Sequence, residues 1–503
     1  MSNLDASLFI EEGGKKYTFA SFPDCKVFKD ETSGKWVQHL LFGDYIEIVD
    51  LTISNDRVKV KARGETEWVS IKDVQKDRIL EVNFIDIGQG DGCHLVTPDD
   101  QHYLIDAGKG DNMYRYLYWR FNFDNNPTLP FKFKAVLSHP DNDHYLGFSE
   151  IFDSSNVEFD KIYHSGLVQR PKNDAKGWNT TLGTKEKLSN GETYISTLDL
   201  SDAEVKGLIN DAANRSGTGS QYPSTLFKAL DQTAPPVFES LNSESGFLTG
   251  QGGEDEFSIK VLAPIQESVD GKQVLRYFGG IDKTKNGHSV LMMVHYKKLR
   301  VMLGGDVNEE AGEFINEQYG VNAHATLRAD IAKACHHGSH LFNYEFLENI
   351  NALGTVISSG DDENYSHPRP DTLGALGKTG YSNKPLIFST ELARSNKEFN
   401  TSTVPALVEK YQRWEEAEKA LQEYLQSMST SQADQVQKDV LLKAAQKRYK
   451  EINSYLTRYG MITLRSDGDK MIMAQKLERD ARGGKYDIYK FRYETTRQRF
   501  ERF

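Results

Sequence analysis

The segment Ser138-His139-Pro140-Asp141-Asn142-Asp143-His144 sets two imidazoles and two carboxylates within six residues, directly after the apolar run Ala135-Val136-Leu137. That run reads as the end of a buried strand, and alternate residues of the tight loop behind it can point at neighbouring positions rather than at one ion. Nitrogen and oxygen donors in this mixture suit Zn²⁺ or Mn²⁺. Two divalent ions are the natural reading, and such a pair can acidify a water and offset the charge of a displaced phosphate ester. The alternative is a polar turn whose Asp and His residues only cap a helix.

Other segments repeat the pattern of an apolar strand, then a charged or imidazole group, then Gly. Leu299-Arg300-Val301-Met302-Leu303-Gly304-Gly305-Asp306 ends on a carboxylate that could lie between two ions, and Ile331-Ala332-Lys333-Ala334-Cys335-His336-His337-Gly338 ends on imidazoles. Upstream, Phe84-Ile85-Asp86-Ile87-Gly88-Gln89-Gly90-Asp91 and Tyr103-Leu104-Ile105-Asp106-Ala107-Gly108 add Asp91 and Asp106 as further candidates. Buried strands present ligands along one sheet edge in this way.

In order, GQGD, IDAG, SHPDNDH, NGHS, GGD, HHGS and YSHP resemble the motif series of the metallo-β-lactamase superfamily, and more narrowly that of the soluble hydrolase domain of the ComEC competence-protein family. The resemblance covers roughly residues 80 to 400 and a returning strand near 460 to 475. It implies an α/β fold, specifically a four-layer αββα sandwich with a two-metal site on one sheet edge, and hydrolysis of phosphodiesters, usually in nucleic acid. Residue by residue, it implies His139 and Asp141 on a first metal, Asp143 and His144 on a second, and Asp306 bridging. His336 is taken as the remaining ligand of the second metal, with His337 as the fallback. Asp141 stands where many superfamily members carry His, which shifts the expected ion toward Mn²⁺ or Mg²⁺ relative to Zn²⁺. A third-motif His has no clear counterpart. Asn286 and His288 occupy that place, His288 as a ligand, a phosphate donor or a polar residue before the strand, and His164 is a reserve. Asp143 is also taken as catalytic. His367, which Pro368 keeps out of a helix, is either the proton donor to a leaving alkoxide or a structural histidine.

At 503 residues the chain is long enough for about three domains. Three scattered cysteines, Cys25, Cys93 and Cys335, indicate neither a disulfide framework nor a cysteine zinc site and fit a reducing compartment. No basic segment leads into an apolar one at the start, and nowhere do roughly eighteen apolar residues run together. A cytoplasmic enzyme without a membrane partner is expected, unlike ComEC, whose hydrolase is attached to a membrane channel. The formal charge of −12 argues against polyanion binding. Residues 447–503 soften this, with 15 Lys and Arg against 8 Asp and Glu and with Tyr486, Tyr489, Phe491, Tyr493, Phe500 and Phe503 interleaved. Such a tail could track a phosphate backbone and stack on bases, or be a solvated helix or a dimer contact. No single nucleic-acid-binding residue is assigned.

Residues 1–78 carry short strand patterns between Asp, Gly and Asn turns and resemble bacterial Src-homology-3-like β-barrels. The hydrolase follows over 79–400, with a polar insertion at 165–255 read as a substrate-shaping lid or a surface elaboration. In residues 401–457, Leu407, Tyr411, Trp414, Leu421, Leu425 and Met428, then Val436, Val440, Ala444 and Tyr459 beyond, recur at helical spacing and predict an antiparallel hairpin. Residues 458–478 predict closing strands turned at Asp467-Gly468-Asp469, and 479–503 the basic aromatic tail. Barrel and hairpin are the candidate surfaces for a protein partner or a second copy. The expected activity is a two-metal nuclease on DNA. The alternatives are a phosphodiesterase on a small cyclic nucleotide or phospholipid head group, and a non-catalytic scaffold with structural metals.

Overall fold

The computed structural model describes residues 2–248, 250–360, 366–390, 403–427, 432–456, 461–481 and 483–503. Tyr365 of the YSHP segment, Met428 and Tyr459 lie outside them. The chain is mixed α/β with several sheets, and it divides into two compact units, Met1–Ala393 with Met461–Phe503, and Arg394–Gly460.

The larger unit holds a ten-stranded sheet. Its parallel half orders Val237–Ser240, Phe159–His164, Phe133–Leu137 and His102–Ala107. The antiparallel half continues through Gly92–Val96, Leu80–Ile85, Met461–Ser466, Lys470–Ala481, Gly484–Glu494 and Arg499–Arg502. A six-stranded sheet orders Phe257–Ala263, Leu291–Tyr296, Leu299–Gly304, Ile331–Lys333, Gly354–Ile357 and Leu386–Ser389. Strand residues of both sheets share one core, with Val82, Phe84 and Leu95 among Val261, Val294, Val301 and Val356. The other faces are covered by helices, through Met113, Leu117, Phe148 and Leu226 on the larger sheet and Phe314, Ile315, Phe346 and Ile350 on the smaller. Each fully buried apolar side chain of this kind contributes about 1.5–3 kcal/mol.

Leu80–Ile85 shows how sequence makes these layers. Leu80, Val82 and Phe84 enter the inter-sheet core, while Glu81 pairs with Arg120 at 2.8 Å and Asn83 donates to Tyr116 Oη at 3.3 Å, both on the helix Asn112–Phe121. Residues between 10 and 75 form an eight-stranded sheet with its own core of Cys25, Val27, Ile46, Val58 and Val69. Its Leu41 and Phe42, with Ile79, pack on Ile472 and Ala474.

Two segments differ from the sequence expectation. The basic aromatic tail is not a free segment: Gly484–Glu494 and Arg499–Arg502 extend the large sheet, and Phe491 and Phe500 are fully buried in the inter-sheet core. Likewise, 165–255 is more than a lid or surface elaboration. Its helices Asp202–Asn210 and Gln221–Lys228 bury Val205, Ile209, Tyr222 and Leu226 against the large sheet, and Val237–Ser240 joins that sheet's edge. Deleting 484–503 is therefore expected to abolish cooperative thermal melting and activity on every substrate, because loss of each buried Phe alone costs about 3–5 kcal/mol. A deletion variant that melts cooperatively near the wild-type temperature would contradict this.

In the smaller unit, Thr403–Ser427 and Gln432–Leu456 are helices packed on one another. Among the described residues no helix is long and apolar enough to cross a membrane, and Cys25, Cys93 and Cys335 are free.

Candidate metal centre

The ends of four strands converge. Phe133–Leu137 delivers Ser138 and His139, His102–Ala107 carries Asp106, Leu299–Gly304 leads to Asp306, and Ile331–Lys333 leads to His336 and His337. The four-residue helix Asn142–Tyr145, capped by the Asp141 side chain, brings in Asp143 and His144. Asp106, His336 and His337 all take left-handed backbone conformations, with φ of 55°, 51° and 52°. Such conformations persist only where the surroundings impose them, and they gather at functional sites. The glycines of the motifs make room. A Cβ on Gly90 (φ +106°) would lie 1.7 Å from the Asp143 carbonyl oxygen, and one on Gly305 would lie 2.5 Å from Ser138 Oγ.

At the floor of a cleft of about 460 Å³, four side chains turn donors toward one another. His144 Nε2 and His337 Nε2 are 3.2 Å apart, and each approaches Asp306 Oδ2, at 3.3 and 3.2 Å. The Asp143 carboxylate lies 3.9 Å from His144 Nε2 and 3.8 Å from His337 Nε2. Ligands of a tetrahedral ion with bonds of 2.0–2.1 Å stand about 3.4 Å apart, a spacing that His144 Nε2, His337 Nε2 and Asp306 Oδ2 match, with Asp143 farther out.

The two rings are held from behind. Asp106 Oδ2 lies 2.8 Å from His144 Nδ1, and His337 Nδ1 faces the Ser358 carbonyl at 3.2 Å with Asp91 Oδ1 at 3.1 Å. Asp91, Asp306, His144 and His337 form a buried group able to hold a metal. Asp91 nevertheless meets the Nδ1 side of His337 and is ion-paired with Lys333, whereas Asp143 is on the Nε2 side. The geometry thus gives Asp91 and Asp106 the part of orienting imidazoles, which fixes tautomer and ring direction.

Hydrogen-bond accounting fixes the proton of His139 as well. Ser138 Oγ donates to Asp106 Oδ2 at 2.6 Å and Ser289 Oγ donates to the Asn286 carbonyl at 2.8 Å. With their protons committed, both hydroxyls can only accept from His139 Nδ1, at 3.0 and 3.2 Å. His139 Nε2 is then a bare lone pair, buried without a hydrogen-bond partner, as is Asp306 Oδ1. Buried polar atoms are rarely left so, and such orphans are what a ligand would satisfy.

Several other candidates fall elsewhere. His336 is on the cleft wall, its Nε2 3.9 Å from Asp306 and 3.4 Å from Asn286 Nδ2, while His337, the fallback, belongs to the buried group. His288 turns away, with Nε2 2.7 Å from the Arg276 carbonyl and its ring stacked on Phe278. His164 is buried at its strand end, where Nδ1 accepts from Gly166 N–H at 3.1 Å. His367 lines the cleft, its ring 5.8 Å from that of His336. Asp141 uses Oδ1 on Asn142 N–H and Oδ2 on Lys285. Sequence reasoning missed Lys285, Lys333, Ser138 and Ser289. The available signal was a lysine inside the apolar run Ile331-Ala332-Lys333-Ala334, since lysine is almost never buried unpaired.

The carboxylates set the protonation of the rings. Burial opposes the charged form of both, but Asp306 and Asp106 hold His144 well above the ordinary imidazole value, and Asp306 and Asp91 raise His337 to about 10. Burial likewise opposes ionisation of Asp306, yet His337, His144 and His336 hold it well below the usual carboxylate range. His139 is pushed well down, by burial first and then by His144. In the metal-free protein the His337 pairs therefore stabilise the fold fully below the ordinary value of 6.5, and that contribution is lost as pH rises through about 10. A divalent ion requires neutral rings, so binding near neutral pH is expected to release about two protons, and affinity is expected to rise with pH. Calorimetric titration with Mn²⁺ in buffers of different ionisation enthalpy counts those protons, and heats independent of buffer would contradict the assignment.

No protein-family model matches the chain. Over 311 residues, 59% of its length, it is 23% identical to ComE operon protein 3 of Bacillus subtilis (strain 168), and the match spans 30% of that protein. The likeness supports a ComEC-like relationship for this part of the chain.

Proposed function

We propose that this chain is a divalent-metal-dependent phosphodiester hydrolase of the metallo-β-lactamase type, an αββα sandwich acting as a nuclease on DNA. The observation that carries the reading is the meeting of His144 Nε2, His337 Nε2, Asp306 and Asp143 at the cleft floor. Those four residues would hold Mn²⁺ or Zn²⁺. When bound, the ion supplies Lewis-acid charge and an acidified water.

The chain's own groups have separate work. Asp106 and the Ser358 carbonyl hold the two rings with Nε2 inward. Lys109 and Lys283 line the cleft and present cationic groups for the non-bridging oxygens of a phosphate. His367, on the same wall, protonates the leaving alkoxide at its departing oxygen. Three free cysteines agree with a cytoplasmic setting.

Burial of Phe491 and Phe500 removes part of the aromatic set that would grip a polymer, and this favours a small phosphodiester as the second reading. Metal-stripped protein reconstituted with Mn²⁺ is to be given a labelled DNA strand and bis(nitrophenyl) phosphate. Cleavage of both supports a nuclease, cleavage of the ester alone the second reading, and cleavage of neither at any divalent metal overturns the hydrolase.

A further inference from the structure

We propose that Lys285 is a resident cation of the centre: its ammonium holds the Asp141 carboxylate in place of a metal and confines the centre to one divalent ion. The inference rests on the reading of the His144–His337–Asp306–Asp143 cluster as a divalent-metal site.

The donors at the cleft floor fall into two sets. In the first, His144 Nε2, His337 Nε2 and Asp306 Oδ2 stand 3.2 to 3.3 Å apart, with the Asp143 carboxylate 3.8 to 3.9 Å from the two imidazoles, and an ion fits among them. The second centres on Asp141, and here a cation is already present; His139, its ring 4.1 Å from that of His144, lies beside the first set. Lys285 Nζ lies 3.1 Å from Asp141 Oδ2 and 3.2 Å from Asp282 Oδ1. The other oxygen of Asp141 is spent on the helix cap, accepting from Asn142 N–H at 3.1 Å.

Lys285 is 5% exposed, so its ammonium has little water to retreat into, and a lysine buried this far needs its carboxylates. The helix that carries it, Ile281–Gly287, is fixed to the centre, because Asn308 Nδ2 donates to the Lys283 carbonyl at 2.9 Å just beyond Asp306. A divalent ion on Asp141 would meet that ammonium at short range, where like charges repel. Nor does Asp141 find an imidazole in His288, which is committed to the Arg276 carbonyl. One set is thus neutralised by a metal and the other by a side chain.

The test is a count of bound metal. Metal-stripped full-length protein is titrated with Mn²⁺ by calorimetry, and the ions retained after gel filtration are measured by elemental analysis. Wild type and Lys285→Arg are expected to bind one ion per chain, and Lys285→Met, which keeps the stem and removes the charge, to gain a second, weaker one. Two ions per wild-type chain overturn the inference and leave the hydrolase reading standing, whereas no bound ion removes both. A folded Lys285→Met that stays at one ion also overturns it. Should Lys285→Met fail to fold, Asp141→Asn decides: one ion bound as in wild type supports the inference, and loss of that ion overturns it.

Discussion

Turnover of bis(nitrophenyl) phosphate is expected to fall by about a thousandfold or more in His337→Ala, equivalent to about 4 kcal/mol of lost transition-state stabilisation. In His336→Ala the loss is expected to stay within about ten- to a hundredfold, the range of residues that orient a centre without ligating it. Two adjacent imidazoles of the same motif are thereby separated by geometry. His337 Nε2 lies 3.2 Å from both Asp306 Oδ2 and His144 Nε2, while His336 Nε2 stands 3.9 Å from Asp306 on the more open cleft wall. Both variants are to be assayed at saturating metal on protein that melts cooperatively. Equal losses, or the larger loss in His336→Ala, would return the ligand position to His336.

The second large effect concerns stability. Lys333→Met is expected to lower the unfolding free energy by about 3–5 kcal/mol, because it leaves the buried Asp91 carboxylate without its ammonium partner, with His337 Nδ1 beside it at 3.1 Å. Lys333 and Asp91 are 6% and 4% exposed. Lys333 Nζ pairs with Asp91 and also donates to the Gly305 carbonyl at 3.2 Å, so one lysine ties the GQGD turn to the GGD turn across the two sheets. Adding Asp91→Asn to Lys333→Met removes the stranded charge and is expected to recover most of the loss. Urea unfolding midpoints measure both variants. A double variant no more stable than Lys333→Met would mean that the cost lies in packing and not in charge.

The buried strands that deliver the site were legible because each is an apolar run broken by a ligand-type residue and Gly, and Ala135-Val136-Leu137 does end a strand of the large sheet. Which way a loop residue points was not legible. Spacing alone treats His139, Asp141 and Asp143 alike, yet Asp141 caps the helix that presents Asp143 and His144 and turns its other oxygen to Lys285. That contact links residues more than a hundred positions apart, so no local pattern announces it. The ranking of His336 over His337 took the first imidazole after the strand. Left-handed backbone at both residues instead swings the second ring inward.

The tail was misjudged for a different reason. Tyr489, Phe491 and Tyr493 alternate at the period of a strand, and the basic residues between them suggested a solvated face for stacking on bases. In the structure Phe491 enters the core, with Tyr489 and Tyr493 packed at its margin. In 165–255, polar composition hid two amphipathic helices whose buried positions are few but fully enclosed.

The central claim is that these four side chains form a divalent-metal centre, and anomalous scattering from Mn²⁺-soaked crystals tests it most directly. The expected result is a strong peak bounded by His144 Nε2, His337 Nε2 and the carboxylates of Asp306 and Asp143. No peak there, or an ion held by His139 and Asp141 instead, would contradict the account.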